Sequence, residues 1–173
     1  MNKIKREEHR SLDSNEVLKI CNNKAKMIIY EDLKNFKNID ELLYPDDSAI
    51  ILYEYIRNNN ESIGHYICIN RLPSGEIEHF DSLLFKPDRE LNMVPKNVRK
   101  KTRQNYSYLA KMLYDSGYPV SYNHYKLQQN DTSTCGRWAG LRCLLKKLTL
   151  DEFANLFLNR KHDPDILVTA LTM

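Results

Sequence analysis

Two strand-like stretches, Ile63–Leu72 and Glu76–Leu84, are separated only by Pro73-Ser74-Gly75. Proline presets the φ of a turn and glycine accepts the conformation that closes it, so this spacing predicts an antiparallel hairpin. A third run, Ala49–Ile56 (Ala-Ile-Ile-Leu-Tyr-Glu-Tyr-Ile), carries the β-branched and aromatic residues of a strand and is broken by Asn58-Asn59-Asn60. A fourth strand is expected at Pro119–Leu127, and Met27–Tyr30 is a short apolar segment.

Helical signals surround these strands. Asp13 with Glu16 forms a capping box, Leu12 and Val17 sit where a hydrophobic staple belongs, and Val17, Leu18, Cys21 and Ala25 make one apolar stripe. Short helical pattern recurs near Ile39–Leu43, ended by Tyr44-Pro45-Asp46-Asp47. Gln104–Ser116 places Tyr108, Leu109, Met112 and Leu113 at helical spacing, with Gly117 to stop it. Cys135 opens a further helix whose Trp138, Leu141, Leu145 and Leu148 share a face, and a last one starts at Thr149 with Glu152 as its box partner. Residues 1–12 are polar and expected to be flexible. The class is therefore α+β, a mostly antiparallel central sheet flanked by helices.

Length fits one domain over residues 1–173, with 42% hydrophobic and 28% charged residues. No apolar run has the length of a membrane span, and no secretory leader is read at the start, so the chain is expected to be neither membrane-bound nor secreted. Cys21, Cys68, Cys135 and Cys143 are then read as reduced thiols. Neither His65/Cys68 nor Cys135/Cys143 has metal-ligand spacing, and no metal or cofactor is expected. The net charge of +3 is weak, but Lys96, Arg99, Lys100, Lys101 and Arg103 form one dense basic run. It is either a solvated helix start or a polyanion contact that holds the chain near DNA.

Cysteine catalysis needs a thiolate, a base, a group that orients the base, and oxyanion donors. Cys135 at a helix N-terminus would have its thiolate favoured by the dipole and free amides, and Gly136 leaves room beside it. His65 lies in the first hairpin strand and Asp81 in the second, 81 − 65 = 16 residues apart, with the midpoint at residue 73 in the turn. Residues equidistant from a turn face one another, at a distance that suits a carboxylate holding an imidazole. Gln129 precedes the cysteine by 135 − 129 = 6 residues and could donate its amide to an oxyanion; Gln128 is its rival.

The order Gly64-His65-aromatic, Phe80-Asp81-Ser82, Gln129-x5-Cys135-Gly136 resembles the adenain and SUMO-protease superfamily, over roughly Ile50 to Leu145. The resemblance implies a papain-like cysteine protease fold with the nucleophile at a helix N-terminus. It also implies His65 as base, Asp81 as its orienting acid, Gln129 as oxyanion donor and Cys135 as nucleophile. Within that superfamily, Pro87-Asp88-Arg89-Glu90-Leu91, Tyr122-Asn123, Leu127-Gln128-Gln129 and Thr134-Cys135-Gly136-Arg137-Trp138 look like the capsid-maturation proteases of virophages and large double-stranded DNA viruses. What this implies is a monomeric endopeptidase of virion and host cytoplasm that cleaves capsid precursors near small residues and glycine. The family's peptide and DNA cofactors do not carry over, because only the basic residues could match them. Two positions depart. Tyr66 replaces the usual tryptophan after the histidine, a flat ring still able to cover it, and Leu83-Leu84-Phe85 stands where the viral enzymes carry an aromatic and a glycine. The same site also fits a protease that deconjugates ubiquitin-like modifiers and, less well, an acetyltransferase.

Overall fold

The computed structural model describes residues 2–56, 62–103 and 105–173, so Asn58-Asn59-Asn60 and Gln104 lie outside the described residues. The chain runs through α1 (Asn2–Glu8), α2 (Ser14–Ile20), β1 (Lys26–Ile29), a 3₁₀ turn at Tyr30–Asn35, α3 (Ile39–Leu43) and β2 (Ser48–Ile56). The hairpin β3 (Ser62–Arg71) and β4 (Ile77–Phe80) follows, then a 3₁₀ turn at Arg89–Met93, α4 (Lys96–Lys101) and α5 (Tyr108–Tyr114). The last part holds β5 (Val120–Tyr122), α6 (Cys135–Leu144), α7 (Leu150–Asn155) and α8 (Pro164–Leu171).

Five strands form one sheet in the order β1-β2-β3-β4-β5. The three central strands are antiparallel, and β1 and β5 each add a parallel edge. Alternation along β3 splits its side chains between two apolar layers. Tyr66 and Cys68 join Trp138, Phe153 and Phe157 beneath α6, while Ile67 and Ile69 join Tyr30, Tyr53, Leu109 and Leu113 on the opposite face. The expected α+β class, a sheet flanked by helices, is what the chain adopts.

Local chemistry explains most boundaries, and several differ from expectation. Both capping boxes form, Asp13 with Glu16 and Thr149 with Glu152. Residues 2–8, expected to be flexible, are helical, and Glu7 and Glu8 reach Arg137 and the Ser133 amide. Helix α6 was expected to bury one face but is sunk on nearly every side. Even Arg137 and Arg142 are buried in it, which they tolerate because their guanidinium groups are paired with Glu7 and Glu78. The strand expected at Pro119–Leu127 is confined to Val120–Tyr122. Helix α8 was missed, although Asp163 caps it and Pro164 occupies its first turn.

The hairpin forms, but in a register shifted by two residues. Cys68 pairs with Phe80 and Ile69 with His79, and β4 ends at Phe80, so Asp81 is not in line with His65. A one-residue slip would have sent the two to opposite faces; a slip of two keeps them on the same one.

Candidate active site

Cys135 is the first residue of α6, where its backbone amide has no intrahelical acceptor. The turn before it is fixed by one buried carboxylate, Asp165 of α8. That group accepts hydrogen bonds from Gln129 N at 2.8 Å, Thr132 Oγ1 at 3.0 Å, Thr134 Oγ1 at 2.5 Å and Trp138 Nε1 at 2.9 Å. A buried acceptor with four donors is well compensated, so it locks the thiol's loop to the helix that follows.

His65 meets Asp81 just beyond the end of β4, with Nε2 and Oδ2 at 2.9 Å. Asp81 is held from behind: Leu83 N donates to its Oδ1 at 2.7 Å, and Asn123 Nδ2 donates to its backbone oxygen at 2.7 Å. The Cys135 thiol faces the same imidazole. Burial alone would push the thiol up, but the His65 contact and the amides of Tyr66 and Gly136 outweigh it and hold its pKa below the ordinary 9.0. Burial would likewise lower His65, yet its bonds to Asp81 and Cys135 raise it well above 6.5. Asp81 is pulled below its usual range because the His65 hydrogen bond outweighs burial. Sulfur and imidazole are thus biased toward a thiolate–imidazolium pair.

Not every expected residue arrives. Gln129 is exposed, its side-chain amide donates to Asp163 and its backbone amide to Asp165, so it is tied to the start of α8 rather than aimed at the thiol. Gln128 is the buried glutamine: Oε1 accepts from Ser82 Oγ at 2.7 Å and Nε2 donates to Thr132 O at 3.1 Å. Tyr66 was expected over the imidazole, but neighbours along a strand face opposite ways. It packs on Gly136 and bonds Ser14 and Leu12 instead, and the ring beside His65 is Phe85, centroids 5.9 Å apart. Lys96, Arg99, Lys100 and Lys101 lie on α4 with Arg103 just after it.

Sequence reasoning missed Glu90. Its carboxyl is fully buried, with Oε1 3.8 Å from His65 Nε2, and burial beside Asp81 raises its pKa to about 9. Among the described residues His65, Asp81 and Glu90 form the one convergent set of such side chains, their polar atoms within 4.8 Å of one another. His65 and Asp81 are bonded to each other there, so the set forms a hydrogen-bonded cluster. A cavity of about 110 Å³ opens beside the thiol, bounded by Ser11, Leu52, Gly64, Tyr66, Ser133 and Gly136.

Fold and site together make this an α+β protein with a buried cysteine–histidine–aspartate cluster at the head of its central helix. It belongs to the family of uncharacterized protein V9 of Sputnik virophage, with 34% identity over 179 residues and full coverage of both chains. No family model matches the chain. Among solved structures it is similar to ChlaDub1 from Chlamydia trachomatis, at 14% identity and a TM-score of 0.48, over 94% of this chain and 89% of that one. No helix among the described residues is long and apolar enough to cross a membrane.

Proposed function

We propose that the chain is a cysteine endopeptidase of the adenain and SUMO-protease type that cleaves viral capsid and other structural precursor proteins during virion maturation. The observation that carries this reading is the arrangement at α6. A thiol at a helix N-terminus has its pKa held down by a histidine that a buried aspartate orients through a 2.9 Å contact. Kinship with a virophage protein supports a viral role.

The chemistry follows from these groups. The Cys135 thiolate attacks the scissile carbonyl carbon, and the carbonyl electron pair moves onto oxygen. The Cys135 backbone amide holds that oxyanion, and Gln128, the buried glutamine, supplies the second donor through the Nε2 hydrogen that Thr132 O does not take. Collapse expels the amine, which takes its proton from the His65 imidazolium. Water, deprotonated by the now neutral His65, then cleaves the thioester and restores the thiol. Asp81 keeps the ring oriented throughout and stays ionised. The small cavity beside Cys135, walled by Gly64 and Gly136, favours cleavage next to small residues.

Co-expression of the chain with capsid precursors tests the reading. Wild type should yield trimmed capsid proteins and Cys135→Ala full-length ones. Undiminished trimming by Cys135→Ala would exclude the nucleophile. Release of a ubiquitin-like modifier with its Gly-Gly tail, without capsid cleavage, would move the substrate to the deconjugating class while leaving the site intact.

A further inference from the structure

Below the His65–Asp81 pair sits a carboxyl group that the mechanism above does not use. Glu90 is fully buried, and neither of its side-chain oxygens receives a hydrogen bond from any donor. The polar groups beside it are His65, whose Nε2 lies 3.8 Å from Oε1, and another acceptor, the carboxylate of Asp81, within 4.8 Å. Two ionised carboxylates in contact without solvent repel each other and lose hydration together, so such a pair keeps one proton between them. Asp81 is the member that ionises, because it already accepts from His65 Nε2 and from the Leu83 amide.

The position of Glu90 is built into the loop that carries it. Asp88, in left-handed backbone at φ 67°, heads the 3₁₀ turn of Glu90. Its carboxylate accepts Tyr30 Oη at 2.6 Å, Tyr53 Oη at 3.3 Å and Ala110 N at 2.7 Å, and its own amide donates to Tyr53 Oη at 3.3 Å. The titratable groups facing Glu90 are His65 of β3, Asp81 after β4 and Tyr53 of β2, whose hydroxyl also meets Asp88. His65 is the cationic one among them, and it is bonded to Asp81.

We propose that Glu90 is held as a neutral carboxylic acid and donates its proton as a hydrogen bond to Asp81, making it a positioning residue for the imidazole of His65. Asp81 is then fixed between three donors: the Glu90 hydroxyl, the Leu83 amide and the His65 ring. The consequence for catalysis rests on the cysteine-protease reading; the buried proton does not.

Three measurements on the whole chain separate these. Infrared difference spectra at pH 7 should show the carbonyl stretch of a protonated carboxylic acid in wild type. Glu90→Gln, which keeps a donor but has no titrating proton, should lack it, and wild type should lose it as pH rises through about 9. Second, a buried acid whose pKa is raised from 4.5 keeps a proton that the unfolded chain releases. Wild type therefore loses stability relative to Glu90→Gln as pH climbs from 5 to 9, and the gap in melting temperature should widen over that window. Third, Glu90→Gln should leave the pH midpoint of Cys135 alkylation unchanged. Glu90→Leu, with no donor, should lower it by up to about one pH unit, because Asp81 then holds the imidazolium proton more tightly.

The absence of the infrared band, a pH-independent melting gap, or a wild-type melting point that falls on adding EDTA would overturn the proposal. In the last case the carboxylate would be ionised and paired with a cation. If the band is present but Cys135 proves unreactive, the protonated Glu90 stands and the protease reading falls.

Discussion

The hydroxyl of Ser82, the residue that follows Asp81, donates to Oε1 of Gln128 at 2.7 Å. This bond ties the glutamine's orientation to the segment that carries Asp81, the partner of His65. The side chain of Gln129 has no such link; it donates to Asp163 instead. Replacing Gln128 by alanine should cut kcat on a cleavable peptide by about 10²–10³-fold with little change in KM, the usual loss for one oxyanion donor. Gln129→Ala should change kcat far less, since it releases only the Asp163 and solvent side of the loop. The reverse ranking of the two variants would restore Gln129 to the site.

The thiol should be reactive at acid pH and should lose that property with its histidine. Cys21 is buried and pushed up to about 11, so at pH 6 it is about 10⁻⁵ thiolate by simple titration. Cys135, held below 9.0 by His65, should be alkylated first by iodoacetamide, as read by mass spectrometry of the labelled peptides. His65→Ala should abolish the preference. Stability follows the same groups. The raised His65 contributes in full below 6.5 and its share is lost as pH rises through its folded value. The lowered Asp81 contributes above 3.8 and is lost as pH falls through its folded value, so Asp81→Asn should flatten the acid limb of the melting curve.

Much of this site could be read from residue order because the signals are local. Strand alternation, the Pro73-Ser74-Gly75 turn and the polar link before Cys135 each act over a few residues, and the face shared by His65 and Asp81 survived a two-residue error in register. The end of β4 was not legible, because the apolar run Leu83-Leu84-Phe85 reads on as strand past Asp81-Ser82. The chain leaves the sheet there because Leu83 N and Leu84 N fold back onto Asp81, a turn whose warning was the aspartate itself. Glu90, Asp88 and Asp165 lay beyond reach for a different reason. Which of 23 acidic residues becomes buried is decided by long-range packing, and nothing in the neighbouring sequence marks it.

Arg142 and Glu78 join α6 to β4 through a bidentate pair, Nε–Oε1 at 2.8 Å and Nη2–Oε2 at 2.9 Å, with both side chains fully buried. The same guanidinium donates to Leu145 O and Leu148 O, the carbonyls just beyond the helix. Arg142→Ala strands a buried carboxylate and should cost about 3–5 kcal/mol in urea unfolding. Arg142→Ala with Glu78→Leu should cost less than Arg142→Ala alone. Additive losses would show that the two groups are not coupled.

Helix α4 keeps Lys96, Lys100 and Lys101 exposed, and Arg103 follows it, also exposed. If this face binds DNA, affinity for a random duplex should weaken as salt rises. A variant with Lys96, Lys100 and Lys101 changed to glutamate should bind less and show a shallower slope of log affinity against log salt, by about 0.9 for each phosphate no longer neutralised. Equal binding by the variant would leave the run as a solvated helix face.

Gly64 should set which residues enter beside the thiol. A Cβ there would lie 2.3 Å from Leu52 Cδ1 and 3.0 Å from Tyr53 O. The backbone oxygen is held in the β2–β3 ladder, so Leu52 is the group that must move, and Leu52 already borders the 110 Å³ cavity next to Cys135. Gly64→Ala should therefore push the leucine into space a substrate needs. KM on peptides with glycine at the scissile bond should rise, and the loss should be larger still for alanine in the same position. Alkylation of Cys135 by iodoacetamide, a far smaller probe, should keep its pH midpoint, because neither His65 nor Asp81 is displaced. A shift of that midpoint would mean that Gly64 supports the His65–Asp81 pair itself rather than the cavity wall.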